Sequence, residues 1–258
     1  AYERISARNA TAPQRARAVL DAMISDRNAT GIRPDADAFN ALMGCHRKSR
    51  NRDAYRRIEE ILHLMERSVR DGNQRARPDA ATLNTVLSAL SKGPGRRNGR
   101  AALKKADAVW RCVVKDHGVR PDTLGHNLLL KVLSESRAPD AADRALALLA
   151  DMEAELSDKG KDAAAAPPDA ITYASVLRVL SKSPPFDRDR DHDDDGRGRT
   201  AQSVLRRMDR LSRTRAGPPP NTRVFNALID AWSNSNDEPG AVKSAESILI
   251  RMEAAARA

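Results

Sequence analysis

The chain has 258 residues, of which 40% are hydrophobic, 31% charged and 3% aromatic, with 45 Lys and Arg against 35 Asp and Glu and a formal net charge of +10. No apolar run approaches the ~18 residues of a membrane-spanning helix, and two cysteines, Cys45 and Cys112, cannot make a disulfide framework, which fits a reducing compartment. Three Phe, three Tyr and two Trp are too few for the aromatic platforms on which many RNA binders stack bases, so the basic excess favours a polyanionic partner without naming a fold.

The chain starts at Ala1 rather than Met, inside helical-looking sequence (Tyr2, Glu3, Arg4, Ile5), and ends inside a helical run, Ser244 to Ala258. No signal or transit peptide is legible at either edge, and the chain reads as a piece of something longer.

From the first residues onward, one pattern returns. Ala16, Val19, Leu20 and Met23 form an apolar ladder at helical spacing, the second helix of a unit whose first helix is cut off. Arg33-Pro34-Asp35 then leads into a helix bearing Phe39, Leu42 and Met43, followed by a second with Ala54, Ile58, Ile61, Leu62 and Met65. Arg77-Pro78-Asp79 leads to Leu83, Val86, Leu87 and Leu90. Arg120-Pro121-Asp122 leads to His126-Asn127-Leu128-Leu129, with Ala145, Leu148, Leu149 and Met152 after it. Pro167-Pro168-Asp169 precedes Tyr173, Val176, Leu177 and Leu180, and then Ala201, Val204, Leu205 and Met208. Finally Pro219-Pro220-Asn221 precedes Phe225, Leu228, Ile229 and Trp232, with Ala245, Ile248, Leu249 and Met252 closing the series.

Proline to proline, the intervals are 44, 43, 47 and 52 residues. A proline marks where the preceding helix has stopped, and the Asp or Asn beside it is a good N-cap. Five of the six methionines hold one position, which predicts core packing. The predicted units are residues 1–35 (the truncated tail), 36–79, 80–122, 123–169, 170–221 and 222–258, the last lacking its final residue. Extra length falls in loops: Lys92 to Gly99, Ser157 to Pro167, and a Pro-, Asp- and Arg-rich stretch over 183–199 that reads as disordered. One helix pair cannot cover its own apolar face, whereas stacked pairs bury a continuous core. The expected fold is therefore all-α, an α-solenoid of stacked antiparallel helix pairs wound as a right-handed superhelix.

The Arg-Pro-Asp opening, the aromatic-Asn or Leu-Asn pair (Phe39-Asn40, Leu83-Asn84, Phe225-Asn226) and the Met-Glu endings (Met65-Glu66, Met152-Glu153, Met252-Glu253) resemble the pentatricopeptide repeat. The resemblance spans nearly the whole chain. The Trp and Gly-x-x-Tyr of a tetratricopeptide first helix are absent. What the resemblance implies is sequence-selective binding of single-stranded RNA in a mitochondrion or plastid, in transcript processing, stability or translation, without enzymatic activity or cofactor. In that family the fifth residue after the Pro-Asp step reads the base edge, helped by the last residue of the same unit. Carried over, Asn40 acts with Asp79, Asn84 with Asp122 and Asn127 with Asp169, a combination the family associates with uridine and less strongly with cytidine. An amide offers donor and acceptor, whereas a carboxylate only accepts. The fourth unit departs, with Ala174 in place of the amide and Asn221 in place of the carboxylate, and Asn226 has its partner beyond Ala258. These three are the weaker base-reading positions. The clamp two places after the step is filled by Ala81, Leu124 and Ile171, while Asp37 and Arg223 suit it poorly. Lys48, Lys92 and Lys182 recur at the end of the first helix as phosphate contacts, with Glu135 and Asn234 departing.

Two other readings stay open: a protein-binding scaffold, for example beside an organellar ribosome, and the RNA-gripping arm of a larger enzyme such as a protein-only RNase P. A repeated structural hydrogen bond would also account for the Asn. Asp191-His192-Asp193-Asp194-Asp195-Gly196 starts like a calcium loop, but its twelfth position is Gln202 and its eighth Gly198. The five histidines lack ligand spacing, and no catalytic constellation or metal site emerges.

Overall fold

A computed structural model describes residues 12–25, 33–49, 53–92, 98–157, 166–183, 196–214, 217–235 and 240–257. The chain falls into two compact units, Ala1–Pro121 and Asp122–Ala258. The first holds α1 (Ala12–Ser25), α2 (Ala36–Lys48), α3 (Ala54–Arg70), a short 3-10 turn (Gln74–Ala76), α4 (Ala80–Lys92) and α5 (Gly99–Trp110), which runs on as a π-helical turn, Arg111–Asp116. The second holds α6 (Thr123–Ser136), α7 (Ala141–Ser157), α8 (Ala170–Lys182), α9 (Arg197–Arg213), α10 (Thr222–Ser233) and α11 (Ala241–Arg257). The described residues contain no strand. The molecule is an all-α helical-repeat protein, as the periodicity predicts.

Each Pro-Asp or Pro-Asn step does the same local work. The N-cap side chain of Asp35, Asp79, Asp122, Asp169 or Asn221 accepts the backbone N–H three residues on, from Ala38 (2.9 Å), Thr82 (2.8 Å), Gly125 (2.7 Å), Thr172 (2.7 Å) or Val224 (3.2 Å). Such a cap stabilises a helix by about 1 kcal/mol, and a carboxylate also answers the positive end of the helix dipole. At the far end of α3, Gly72 takes φ 89° and its N–H and that of Asn73 return to Val69 and Ser68 carbonyls, each at 3.0 Å. That left-handed turn is what glycine tolerates at a helix C-terminus. Asn73, buried, then donates to the Pro34 carbonyl at 2.7 Å and ties the end of α3 to the start of α2.

Within each unit the first helices pack side by side, α2 on α4 in one unit, and α6 on α8 on α10 in the other. Within a unit a second helix covers the first helix that follows it: α3 packs on α4, α7 on α8 and α9 on α10. The core lies between these two layers. Phe39, Leu83, Tyr173 and Leu228 on the first helices and Ile58, Met65, Met152 and Met208 on the second are all buried. In α5 the methionine position is taken by Val113, also buried, inside the π-helical turn.

Two expectations are corrected. Val19 and Leu249, read as core, are exposed; among the described residues α1 packs on α2 and α11 on α10 through other side chains. The loop expected over 183–199 is already ordered at its end: α9 starts at Arg197, and Gly198 packs so closely on the Trp232 ring that a Cβ there would overlap it. Most of the calcium-like segment, 191–195, lies outside the described residues; its Gly196 is the N-cap of α9 and its Gln202 a residue of that helix.

Candidate nucleic-acid interface

The proposed reading residues sit on the first helices, and what brings them together is the N-cap. In the first unit Asp79 caps α4: its Oδ1 accepts the Thr82 N–H at 2.8 Å, while the Asp79 N–H donates to Thr82 Oγ1 at 3.2 Å. Asn40, one helix back on α2, donates from Nδ2 to the same Asp79 Oδ1 at 3.1 Å across 39 residues of sequence. Thr82 Oγ1 stands 2.8 Å from both Asn40 Oδ1 and Asp79 Oδ1, so its single proton serves one of them. In the second unit the motif repeats. Asp169 and Thr172 form a capping box on α8, and Asn127 Nδ2 donates to Asp169 Oδ1 at 3.1 Å.

Both amides are half-buried, neither sealed in the core nor fully solvated. The side-chain bonds of Asp79 and Asp169 converge on Oδ1, which leaves Oδ2 unpartnered among the described residues. Asn127 Oδ1 is buried without a partner there, a burden that tethering two helices through Nδ2 does not require. The arrangement thus holds an amide and a carboxylate side by side, both fixed by a helix end, with acceptor capacity in reserve. Asn84 is also half-buried, and it lies in the first unit whereas Asp122 lies in the second.

The position two residues after each step is exposed in all five copies: Asp37, Ala81, Leu124, Ile171 and Arg223. Leu124 and Ile171 are 54% and 45% exposed, so both present an apolar side chain to solvent at this position. In the fourth repeat Ala174 is only 5% exposed and presents no polar edge. Asn221 is an exposed N-cap and Asn226 an exposed residue of α10.

Lys48, Lys92 and Lys182 are the last residues of α2, α4 and α8, where the helix dipole favours a cation, and all three are exposed. Lys182 is not at liberty. Its Nζ lies 3.0 Å from Glu135 Oε1, the residue at the same register of the preceding unit. Stacking first helices side by side sets their final turns in line, so the departure at Glu135 compromises the lysine beside it.

Sequence reasoning placed the second helices but missed the bonds between them. The acidic residue after each methionine bonds to the residue before the corresponding position of the next unit. Glu153 accepts from Arg207 (2.6 and 2.9 Å), Asp209 from Arg251 (2.7 Å), and in the first unit Glu66 from the Cys112 thiol (2.6 Å). Burial and the Glu66 carboxylate push that thiol up to about 12. Tyr173 Oη also donates to Glu153, at 2.9 Å. The Met-Glu endings carried the signal, legible as a motif but not as half of a bond.

Elsewhere, a cavity of about 170 Å³ opens between α1 and α3, lined by Met23, Ile24, Leu64 and Arg67 among others, apart from the amide row. No group of three or more His, Cys, Asp or Glu among the described residues is placed to hold a metal, and no described helix is long and apolar enough to cross a membrane. No protein-family model matches the chain, and no curated protein matches it either.

Proposed function

We propose that this protein binds single-stranded RNA along its first-helix layer, in the manner of the pentatricopeptide repeats its sequence resembles, with a preference for pyrimidines and a role in organellar transcript processing, stability or translation. The observation that carries the reading is the side-by-side placement of Asn40 with Asp79 and of Asn127 with Asp169, the pairs the resemblance couples. The reading also draws support from Leu124 and Ile171, exposed just after the Asp122 and Asp169 caps, where an apolar side chain can lie against a base face. Exposed lysines at helix ends supply sequence-blind attraction to phosphate, and the amide–carboxylate pairs supply preference.

Fluorescence anisotropy with U-rich and A-rich oligonucleotides across a salt series tests this. The U-rich strand binds more tightly, Asn84→Ser shifts preference away from uridine, and Lys92→Ala weakens all sequences alike, lowering the salt slope by about 0.7. Equal affinity for both strands at every salt concentration would remove base reading. Retention of protein partners after nuclease treatment, with no RNA affinity, would favour the scaffold reading instead.

A further inference from the structure

The second helices carry a feature independent of the amide row. Counting from the methionine position of a second helix, the positions nine and two before it and two and five after it lie on the opposite side of the helix, at about 100° per residue. In α3 these are Arg56, His63, Arg67 and Arg70 around Met65, all exposed. In α5, around Val113, the first three are Lys104, Arg111 and Lys115, again exposed. In the second unit α9 repeats the row with Arg199, Arg206, Arg210 and Arg213 around Met208, all four exposed. Its neighbour α7 has Asp143, Ala150 and Ala154 at the first three positions, so the row belongs to particular helices rather than to the repeat as such.

In the first unit α3 and α5 are tied to each other by Lys105 to Glu59 (2.9 Å) and by Cys112 to Glu66, which sets their two rows side by side. Arg56 is shared with Glu60 at 3.3 Å and His63 lies 3.5 Å from Glu66, but Arg67, Arg70, Lys104, Arg111 and Lys115 have no ion-pair partner among the described residues. No large hydrophobic side chain is exposed on either helix. A protein partner would need apolar or aromatic anchors at the centre of its interface, whereas nucleic-acid interfaces are polar, wet and strongly positive. Among the described residues no Phe, Tyr or Trp side chain is fully exposed on these helices for unstacked bases, which points away from a single strand. Duplex RNA hides its bases and is recognised through its backbone and shape.

We infer that the second-helix face of the first unit, centred on Arg67, Arg70, Arg111 and Lys115, is a second nucleic-acid surface that docks on the phosphodiester backbone of duplex RNA without reading sequence. A protein with both surfaces can grip a structured element while its first helices read an adjoining single strand.

The test is binding of the whole chain to an RNA hairpin of about 16 base pairs lacking single-stranded tails, across a salt series, with the variant R67A/R70A/R111A/K115A. Duplex affinity falls at least tenfold near 100 mM salt, and the slope of log affinity against log salt drops by about 0.9 for each phosphate that the variant leaves unneutralised, the figure for B-form duplexes. The ratio of U-rich to A-rich single-strand affinity is unchanged, which separates this surface from the amide row. The charge-keeping variant R67K/R70K/R111K retains duplex binding, and Arg70→Gln with Lys104→Gln gives a smaller loss in the same direction should the fourfold variant melt early. Unchanged duplex affinity and salt slope in the folded variants would overturn the inference. So would loss of binding to a polyglutamate probe with duplex binding intact, which would assign the face to an acidic protein.

Discussion

The Asn side chains at Asn40 and Asn127 do two jobs at once. Each spends an N–H on the carboxylate that caps the next first helix, and that same bond fixes where the amide points. Other side chains are held with less latitude. A methyl group at Gly198 meets the face of Trp232, a buried ring that cannot swing aside, so Gly198→Ala costs about 1–3 kcal/mol of stability. Chemical denaturation reads this directly, and an unchanged midpoint would mean that α9 shifts freely on α10. Burial, and then the bond it donates to Glu66, hold the Cys112 thiol neutral. At pH 8 it reacts with iodoacetamide roughly a hundred- to a thousandfold more slowly than an ordinary exposed cysteine, because the thiolate is the nucleophile. Glu66→Gln speeds the reaction; a rate already equal to that of free cysteine would contradict the bond.

Among the elements, the bonds between successive second helices explain how the stack keeps register where caps alone do not. Glu153 receives Arg207 from α9 and Tyr173 from α8, with its own side chain only 15% exposed. Removing it as Glu153→Ala leaves a guanidinium and a buried phenol hydroxyl without their shared acceptor, which predicts a loss of about 1–3 kcal/mol. Arg207→Ala alone loses less, since Tyr173 keeps its partner, and equal losses in urea melts would show that the tyrosine bond contributes nothing. Arg197 joins helices differently. Its guanidinium donates to the Asn234 and Ser183 carbonyls, both at 2.7 Å, just past the ends of α10 and α8. A cation there satisfies two helix C-termini together, a reason for α9 to begin inside a stretch whose composition reads as loop.

At the scale of the molecule, pH dependence can be derived for the first unit. His46 on α2 is held below its ordinary value of 6.5, first by burial and then by the charges of Arg57 and Arg17, with Glu60 opposing. Its folded form therefore takes up a proton later than the unfolded chain as pH falls. The stability it permits is full above about 6.5 and declines at lower pH. Thermal melts at pH 7.5 and pH 5 show a larger drop in Tm for the wild type than for His46→Gln; equal drops would assign the acid sensitivity to other groups.

The helices and their starts were legible because their causes are local. A 3.6-residue apolar period and a Pro-Asp cap act over one or two turns, and such a signal survives in a linear string. Five caps and the buried Met65, Met152 and Met208 follow from it. The exposure of Val19 and Leu249, the capture of Lys182 by Glu135 and the burial of Ala174 were not legible, since each depends on which neighbour a helix meets. Thus the sequence alone determined an all-α stack with a known period. Only the tertiary structure decided that Asn40 meets Asp79 across 39 residues, that Glu153 meets Arg207 across 54, and that the cations of α3 and α5 form one surface. The physical reason is that partners so far apart in the chain are chosen by the spacing of packed helices, a quantity set by the shapes of all the side chains between them.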